Sequence, residues 1–137
     1  MSSPDILLIV LDTQRADRLG CYGHDRPITP NLDRFAAGGA LFERAVSPAQ
    51  WTIPSHASLF TGLYPTAHGV TQSSQSLSSG RPHLAQVLRQ LGYETVGFCN
   101  NPLVGVLNNG FKRGFGAFYN YGGAFPSLPR QSNPWPW

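Results

Sequence analysis

The chain has 137 residues, of which 41% are hydrophobic and 12% aromatic, so it can form a core and wholesale disorder is excluded. Its net charge of +3 comes from scattered Lys and Arg without a basic run of five or six, which argues against a nucleic-acid partner. The longest strictly apolar run, residues 6–11, is far shorter than the ~20 residues of a transmembrane helix and no charged leader precedes it, so we expect no membrane association and no export.

The two cysteines, Cys21 and Cys99, lie far apart and match neither a CxxC pattern nor a zinc spacing. This usage favours reduced thiols and a cytoplasmic location. Nothing in the sequence gives positive support for a disulfide between them.

Residues 6–11 form a continuous apolar run rich in β-branched side chains, which predicts a strand buried on both faces of a parallel sheet. The run ends at Asp12. Ligands of open α/β sheets collect at the carboxyl ends of strands, so this aspartate is a candidate site residue. A role confined to starting a turn is the alternative.

Two further elements are expected before residue 50. Thr29 as N-cap and Pro30 at the first helical position predict a helix that stops at Gly38-Gly39. Residues 40–47 can form a second strand, which Pro48 would end.

The middle of the chain continues the alternation of helices and strands. A helix is predicted from near Pro54 to Gly62, another over residues 83–91 with Gly92 as its C-cap, and a third strand over residues 95–99. This order favours an α/β fold with a parallel sheet. Residues 102–137 are rich in Gly, Pro and aromatic residues and are interpreted as a loop segment packed within the same domain.

Thr52 lies just ahead of the predicted helix start, where unpaired N–H groups and the helix dipole favour negative charge. A simple capping role is common for threonine and is the alternative. His56 follows four positions later and could reach the same pocket as a donor or general acid. A locally satisfied or exposed first-turn histidine is equally open, and His68 is expected to serve loop structure.

Three segments taken together resemble the N-terminal third of the sulfatase family. They are IVLDTQRADRLGCYG at residues 9–23, WTIPSHASLFTGLYP at residues 51–65, and GYET at residues 92–95. Their order and approximate spacing make the resemblance, which runs from about residue 4 to 121, more specific than one short pattern. It implies an alkaline-phosphatase-like α/β fold, a mostly parallel sheet flanked by helices.

The resemblance also implies site roles. Asp12 matches the aspartate that binds a divalent metal ion at the end of the first strand, and Thr52 matches the nucleophile at the head of the C/S-x-P-S-R signature. Thr52 would also contact the metal, which could be Ca²⁺, Mn²⁺, Mg²⁺ or Zn²⁺. Asn100 stands where a lysine is expected and is the candidate substrate-binding residue.

Several positions depart from the family pattern. Threonine cannot be oxidised to formylglycine, so Thr52 resembles the direct nucleophile of related phosphoryl and phosphonyl transferases. His56 replaces the signature arginine, Thr13 the second aspartate and Asn100 the lysine, and each change removes a charge. Small-molecule or glycan esters of sulfate, phosphate or phosphonate are therefore all expected substrates.

The family resemblance implies only two metal ligands in this chain, Asp12 and Thr52. A dedicated metal site needs three or more protein ligands. In the family the others come from a later Asp-Asn or Asp-His pair, and no Asp, Glu or His follows Glu94 here. We therefore expect residues 1–137 to be the N-terminal portion of a sulfatase-like catalytic domain, inactive in isolation. The alternative is a non-catalytic remnant that binds an oxyanion at Thr52 or packs against a partner.

Overall fold

A computed structural model gives the fold of residues 3–121. The chain divides between Val46 and Ser47 into two units, called here the N-terminal unit and the C-terminal unit. Helices and a parallel sheet make the fold α/β, as predicted. Each helix within the described residues is too short or too polar to cross a lipid bilayer.

The N-terminal unit contains two 3₁₀ turns, Ala16–Arg18 and Gly20–Tyr22, and helix α1, Pro30–Ala37. Helix α1 confirms the Pro30 start. Thr29 occupies the N-cap position, but its hydroxyl donates to the Asp33 carboxylate at 3.1 Å instead of capping a backbone N–H.

The strand predicted at residues 6–11 is wrong for this structure. The described part of the N-terminal unit contains no strand, and residues 6–11 are exposed along their whole length, with Leu7 83% exposed. A strand is defined by hydrogen bonds to a neighbour, and residues 3–46 contain no other strand that could offer them. Residues 40–47 form no strand for the same reason.

The C-terminal unit contains the other elements of the described residues. They are the helices α2 (Thr52–Thr61), α3 (Pro65–His68), α4 (Leu84–Gln90) and α5 (Pro102–Gly105), and the strands β1 (Val96–Cys99) and β2 (Ala117–Asn120). β1 and β2 pair in parallel with Val96 opposite Ala117 and Cys99 opposite Asn120. Parallel strands need a crossover connection, and residues 100–116, which include α5, supply it.

The segment 102–137 was expected to be loop, and the structure differs over its described part. Residues 102–121 contain α5 and β2. Ala117, Phe118 and Asn120 are buried in β2, so the aromatic residues that looked like loop material belong partly to a strand. Residues 122–137 lie outside the described residues.

The core of the C-terminal unit is built around α2. Its members are Ile53, Ala57, Val70, Leu77, Val104 and Phe111. Ile53 and Ala57 lie one helical turn apart on the same face of α2, which explains why this helix is the most buried in the described chain. Gly62, with φ 69°, then ends α2 in the left-handed conformation that glycine adopts without a Cβ penalty.

An aromatic cluster covers the C-terminal half of α2. Phe60 stacks on His83 at a centroid distance of 4.9 Å and packs against Phe111 at 5.7 Å and Phe115 at 6.2 Å. Next to this cluster, the Arg113 guanidinium donates to the carbonyl oxygens of Ser78 and Arg81, both at 2.8 Å, and so ties down the serine-rich loop that precedes α4.

Candidate functional site

The predicted nucleophile Thr52 is the first residue of α2. Its predecessor Trp51 has extended backbone angles, φ −145° and ψ 168°, and occupies the N-cap position without a side-chain cap hydrogen bond. The alternative in which Thr52 caps the helix is therefore wrong. Thr52 is half-buried, and the next residue, Ile53, is fully buried. The threonine thus lies where α2 leaves the core, at the positive end of the helix dipole.

His56 lies one turn after Thr52 and is buried. Its Nδ1 is 2.8 Å from the Thr52 carbonyl oxygen. A carbonyl only accepts, so Nδ1 carries the proton in this contact, and in the neutral ring the lone pair is on Nε2. The structure therefore brings Thr52 and His56 together through a backbone contact and leaves Nε2 as the nitrogen with acid–base capacity.

Ser55 contributes to this turn in a way that the sequence reasoning missed. Its hydroxyl lies 2.8 Å from the Trp51 carbonyl oxygen and 3.0 Å from that of Thr52, and donates to them. Ser and Thr side chains in helices often donate to carbonyls three or four residues earlier. The serine of the Pro-Ser-His sequence could therefore have predicted this contact. Ser55 and His56 thus add side-chain hydrogen bonds to the Trp51 and Thr52 carbonyls at the start of α2, and the single Ser55 hydroxyl proton is shared between the two.

Asp12 belongs to the N-terminal unit, whereas Thr52, His56 and Asn100 belong to the C-terminal unit. Asp12 is exposed and lies in a turn closed by the hydrogen bond from the Gln14 N–H to the Leu11 carbonyl at 3.2 Å. The following Thr13 has φ 63°, an uncommon conformation for a β-branched residue. The turn that was the alternative for Asp12 is therefore present.

Asn100 is exposed and follows Cys99, the last residue of β1. It lies at the carboxyl end of a parallel strand, the edge at which α/β sheets collect ligands. This placement agrees with a substrate contact without testing it.

The described residues do not amount to a divalent metal site. Within residues 3–121 no group of three or more His, Cys, Asp and Glu side chains converges so that it could hold a metal ion. Asp12 and Thr52, the two ligands that the resemblance implies, are in different units. Two oxygen donors fall short of the six to eight that Ca²⁺ takes or the octahedral set of Mg²⁺.

Comparison with known proteins decides the family. The sulfatase family profile matches residues 4–136, nearly the whole chain. The chain belongs to the sulfatase family. Human arylsulfatase A is 40% identical to it over 98 residues, a match that covers 67% of this chain and 19% of the relative.

Two solved structures resemble the described fold, each with a TM-score of 0.66. The phosphonate monoester hydrolase of Agrobacterium radiobacter is 30% identical, and the match covers 80% of this chain and 23% of the hydrolase. A protein solved in complex with its substrate D-glucosamine-2-N,6-O-disulfate is 25% identical, with 79% and 21% covered. The chain thus spans about a fifth of the length of the relatives it matches, and it is similar to enzymes of both sulfate and phosphonate chemistry.

Proposed function

We propose that this sulfatase-family chain carries the nucleophile of a hydrolase of sulfate, phosphate or phosphonate esters, and that the nucleophile is Thr52. The observation that supports this most directly is the position of Thr52 as the first residue of α2, where the resemblance places the head of the family signature. The dipole and the N–H groups at a helix start favour the charge that develops on a transferring oxyanion. The similarity to both a sulfatase and a phosphonate monoester hydrolase supports the range of esters.

The proposed reaction has two displacements. In the first, the Thr52 Oγ1 attacks the sulfur or phosphorus atom, the bond from that atom to the substrate's alcohol oxygen breaks, and the alcohol leaves with a proton. In the second, water attacks the same atom, the bond to Oγ1 breaks, and sulfate, phosphate or phosphonate is released. Thr52 regains its proton and the enzyme is unchanged.

His56 is proposed to move the protons of these steps. With Nδ1–H held by the Thr52 carbonyl, neutral Nε2 accepts a proton from the attacking hydroxyl and then donates it to the departing alcohol. The geometry thus supports His56 acting first as general base and then as general acid. The sequence had suggested that it would act only as a donor or general acid. Asn100, at the end of β1, is proposed to hydrogen-bond a substrate oxygen.

We also propose that Asp12 and Thr52 contact a divalent cation, with Ca²⁺, Mn²⁺, Mg²⁺ and Zn²⁺ as candidates. A bound cation would neutralise charge on the transferring group. Because the described residues supply too few ligands, neither displacement above is assigned to it.

Because residues 1–137 are expected to be inactive in isolation, the experiment uses a full-length protein that carries them as its N-terminal portion. It compares the parent with its Thr52→Val and Thr52→Ser variants on 4-nitrophenyl sulfate, 4-nitrophenyl phosphate and a phenylphosphonate monoester, with each cation in turn. Valine has nearly the shape of threonine without the hydroxyl, so Thr52→Val should lose turnover at least about 10³-fold, as enzymes without their nucleophile do. Thr52→Ser keeps a hydroxyl and should stay within about tenfold.

Intact-protein mass spectrometry of a rapidly quenched reaction should show the sulfo, phospho or phosphono adduct in the full-length parent protein and not in Thr52→Val. Turnover of Thr52→Val close to that of the parent would contradict the assignment. Binding of sulfate or phosphate without any turnover would favour a non-catalytic oxyanion-binding module.

A further inference from the structure

Asn100, the proposed substrate contact, lies between two residues that are hydrogen-bonded to each other. The Asn101 N–H donates to the Cys99 sulfur at 3.3 Å, and the Cys99 thiol donates to the Asn101 carbonyl oxygen at 3.2 Å. Short polar side chains commonly close turns by bonding main-chain groups two residues later. Asn100 is therefore the middle residue of a turn that the Cys99 thiol closes.

Cys99, at the start of this turn, is held on two sides. It is the last residue of β1, and its carbonyl oxygen accepts a hydrogen bond at 2.8 Å from the Tyr121 N–H, just after β2. Its half-buried side chain packs against the core of the C-terminal unit. The sheet and the core thus fix the residue that precedes Asn100.

Asn101, at the end of the turn, is held by α5. Its side-chain oxygen accepts from the Leu103 N–H at 2.9 Å as the N-cap, and its carbonyl oxygen accepts from the N–H groups of Val104 and Gly105. Val104 belongs to the core, and the side chain of Asn109, only 1% exposed, donates to the Leu103 carbonyl oxygen at 2.7 Å. The residue that follows Asn100 is therefore fixed as firmly as the one before it.

The two hydrogen bonds of the thiol differ in importance. The Asn101 carbonyl oxygen already accepts two N–H groups of α5, so the thiol is a third donor there. The bond from the Asn101 N–H to the Cys99 sulfur is not shared with α5. This bond, in which the sulfur accepts, therefore links the end of β1 to the start of α5 across Asn100.

We infer that Cys99 is a positioning residue for Asn100: its sulfur, by accepting from Asn101, closes the turn that presents Asn100 at the carboxyl end of β1. A side chain on a backbone that is already held loses less freedom when it binds a substrate oxygen. The inference rests on the proposed function of Asn100 for its catalytic consequence, but the contacts that close the turn do not depend on it.

Two variants separate the hydrogen bonds of the thiol from its packing. Cys99→Ser keeps a group that can accept from the Asn101 N–H but weakens the apolar contact with the core. Cys99→Val keeps an apolar side chain of similar size but removes the acceptor. The matched control is Cys21→Val, which replaces the other half-buried free thiol, in the N-terminal unit.

The measurements use a full-length protein that carries residues 1–137 as its N-terminal portion. Cys99→Val should lower kcat/KM by about threefold to tenfold, the effect of losing one neutral hydrogen bond, whereas Cys99→Ser should stay within about twofold of the parent. The loss should fall on the same parameter, kcat or KM, that Asn100→Ala changes. Peptides that cover residues 100–105 should exchange their amide hydrogens faster in Cys99→Val, and at the parent rate in Cys99→Ser and Cys21→Val.

A double-mutant cycle tests whether Cys99 acts through Asn100. In the Asn100→Ala background, Cys99→Val should change kcat/KM by less than about 1.5-fold, because no side chain is left to position. The same loss in both backgrounds, or a larger loss in Cys99→Ser than in Cys99→Val, would overturn the inference. If Asn100→Ala turns over like the parent, the proposed role of Asn100 fails instead, and the exchange of residues 100–105 still decides whether the thiol closes the turn.

Discussion

The rings of Phe60 and His83 are stacked with an interplanar angle of 18°, and His83 is fully buried beneath this contact. Its Nε2 lies 3.1 Å from the Phe111 carbonyl oxygen, and its Nδ1 has no hydrogen-bond partner among the described residues. Burial, followed by the charge of Arg113, lowers the pKa of His83 from 6.5 to about 4, and the Phe111 hydrogen bond only partly offsets this. His83 is therefore neutral in the folded protein at physiological pH.

The stability of the C-terminal unit should fall as the pH drops from 6.5 towards 4. In that window the unfolded chain binds a proton at position 83 that the folded chain does not, so protons favour unfolding. Urea denaturation at pH 7, 5.5 and 4.5 measures the decline, and His83→Gln should flatten part of it. A slope that is the same in His83→Gln would show that other groups cause it.

In a full-length protein that carries residues 1–137 as its N-terminal portion, His56→Asn should separate structure from proton transfer at the proposed site. The asparagine nitrogen can take the place of Nδ1 and donate to the Thr52 carbonyl, but no group replaces Nε2. We expect an unfolding midpoint close to that of the parent and a turnover lower by about 10² to 10⁴, the range of general acid–base catalysis. Unchanged turnover would remove His56 from the mechanism.

Asp12→Asn, made in the same full-length protein, tests the proposed metal contact. The amide keeps the shape of the side chain but removes its charge, so cation affinity and activity should fall together, by about tenfold or more. Isothermal titration with Ca²⁺, Mn²⁺, Mg²⁺ and Zn²⁺ measures affinity, and Asp5→Asn is the matched exposed control. Lost activity with unchanged affinity would indicate that Asp12 acts directly as an acid or base.

Gly97→Ala should destabilise the sheet. A Cβ at this position of β1 would lie 2.6 Å from Phe118 Cδ2 and 3.2 Å from Phe115 Cδ1, so the strand or the rings must shift. Overpacking of this kind costs about 1–3 kcal/mol, readable from urea or thermal unfolding. Gly80→Ala is the control, because its Cβ would meet nothing closer than Ser78 Oγ at 3.8 Å.

Arg113→Lys should loosen the loop that contains Ser78 and Arg81. The guanidinium reaches both carbonyls at once, and the lysine ammonium cannot reproduce that fork. We expect a loss of about 1–3 kcal/mol, the usual size for hydrogen bonds to a charged group, and faster proteolysis within residues 73–81. Arg89→Lys, on the exposed side of α4, should change stability by less than about 0.5 kcal/mol.

Local signals in the sequence predicted α1, α2 and α4, whereas the four-residue helices α3 and α5 were not predicted. Pro30 marked the start of α1, and Gly62 and Gly92 followed α2 and α4 in the left-handed conformation that closes a helix. These features depend on one residue and its immediate neighbours, so they can be read without knowledge of the tertiary structure. The start of α2 was misplaced by two residues because Pro54 was taken as its first position rather than its third.

Features that depend on distant partners were predicted less well. The apolar run at residues 6–11 has the composition of a buried strand, but a strand also requires a neighbour, which composition does not reveal. β2 was hidden in a Gly- and aromatic-rich stretch because its pairing with β1 spans 21 positions. The contact between Ser58 and His68 likewise depends on the chain reversal after Gly62.

At the candidate site, the Thr52 and His56 pairing followed from helical spacing, and the structure confirms that the two lie on one turn. Their chemical roles remain predictions. Asp12 was placed from the rule that site residues follow strands, and Asn100 from the family resemblance alone. In the described chain Asn100 follows a strand, whereas Asp12 does not.

The full burial of Ile53, the residue next to Thr52, sets how fast Thr52 can move. A backbone joined directly to a core side chain opens only when the surrounding core opens, which is among the slowest and rarest motions of a folded domain. In the proposed reaction, entry of an ester and escape of its products would then depend on faster segments elsewhere. Thr52 would act as a fixed point around which such segments move, and changes in substrate preference would arise in them rather than at the start of α2.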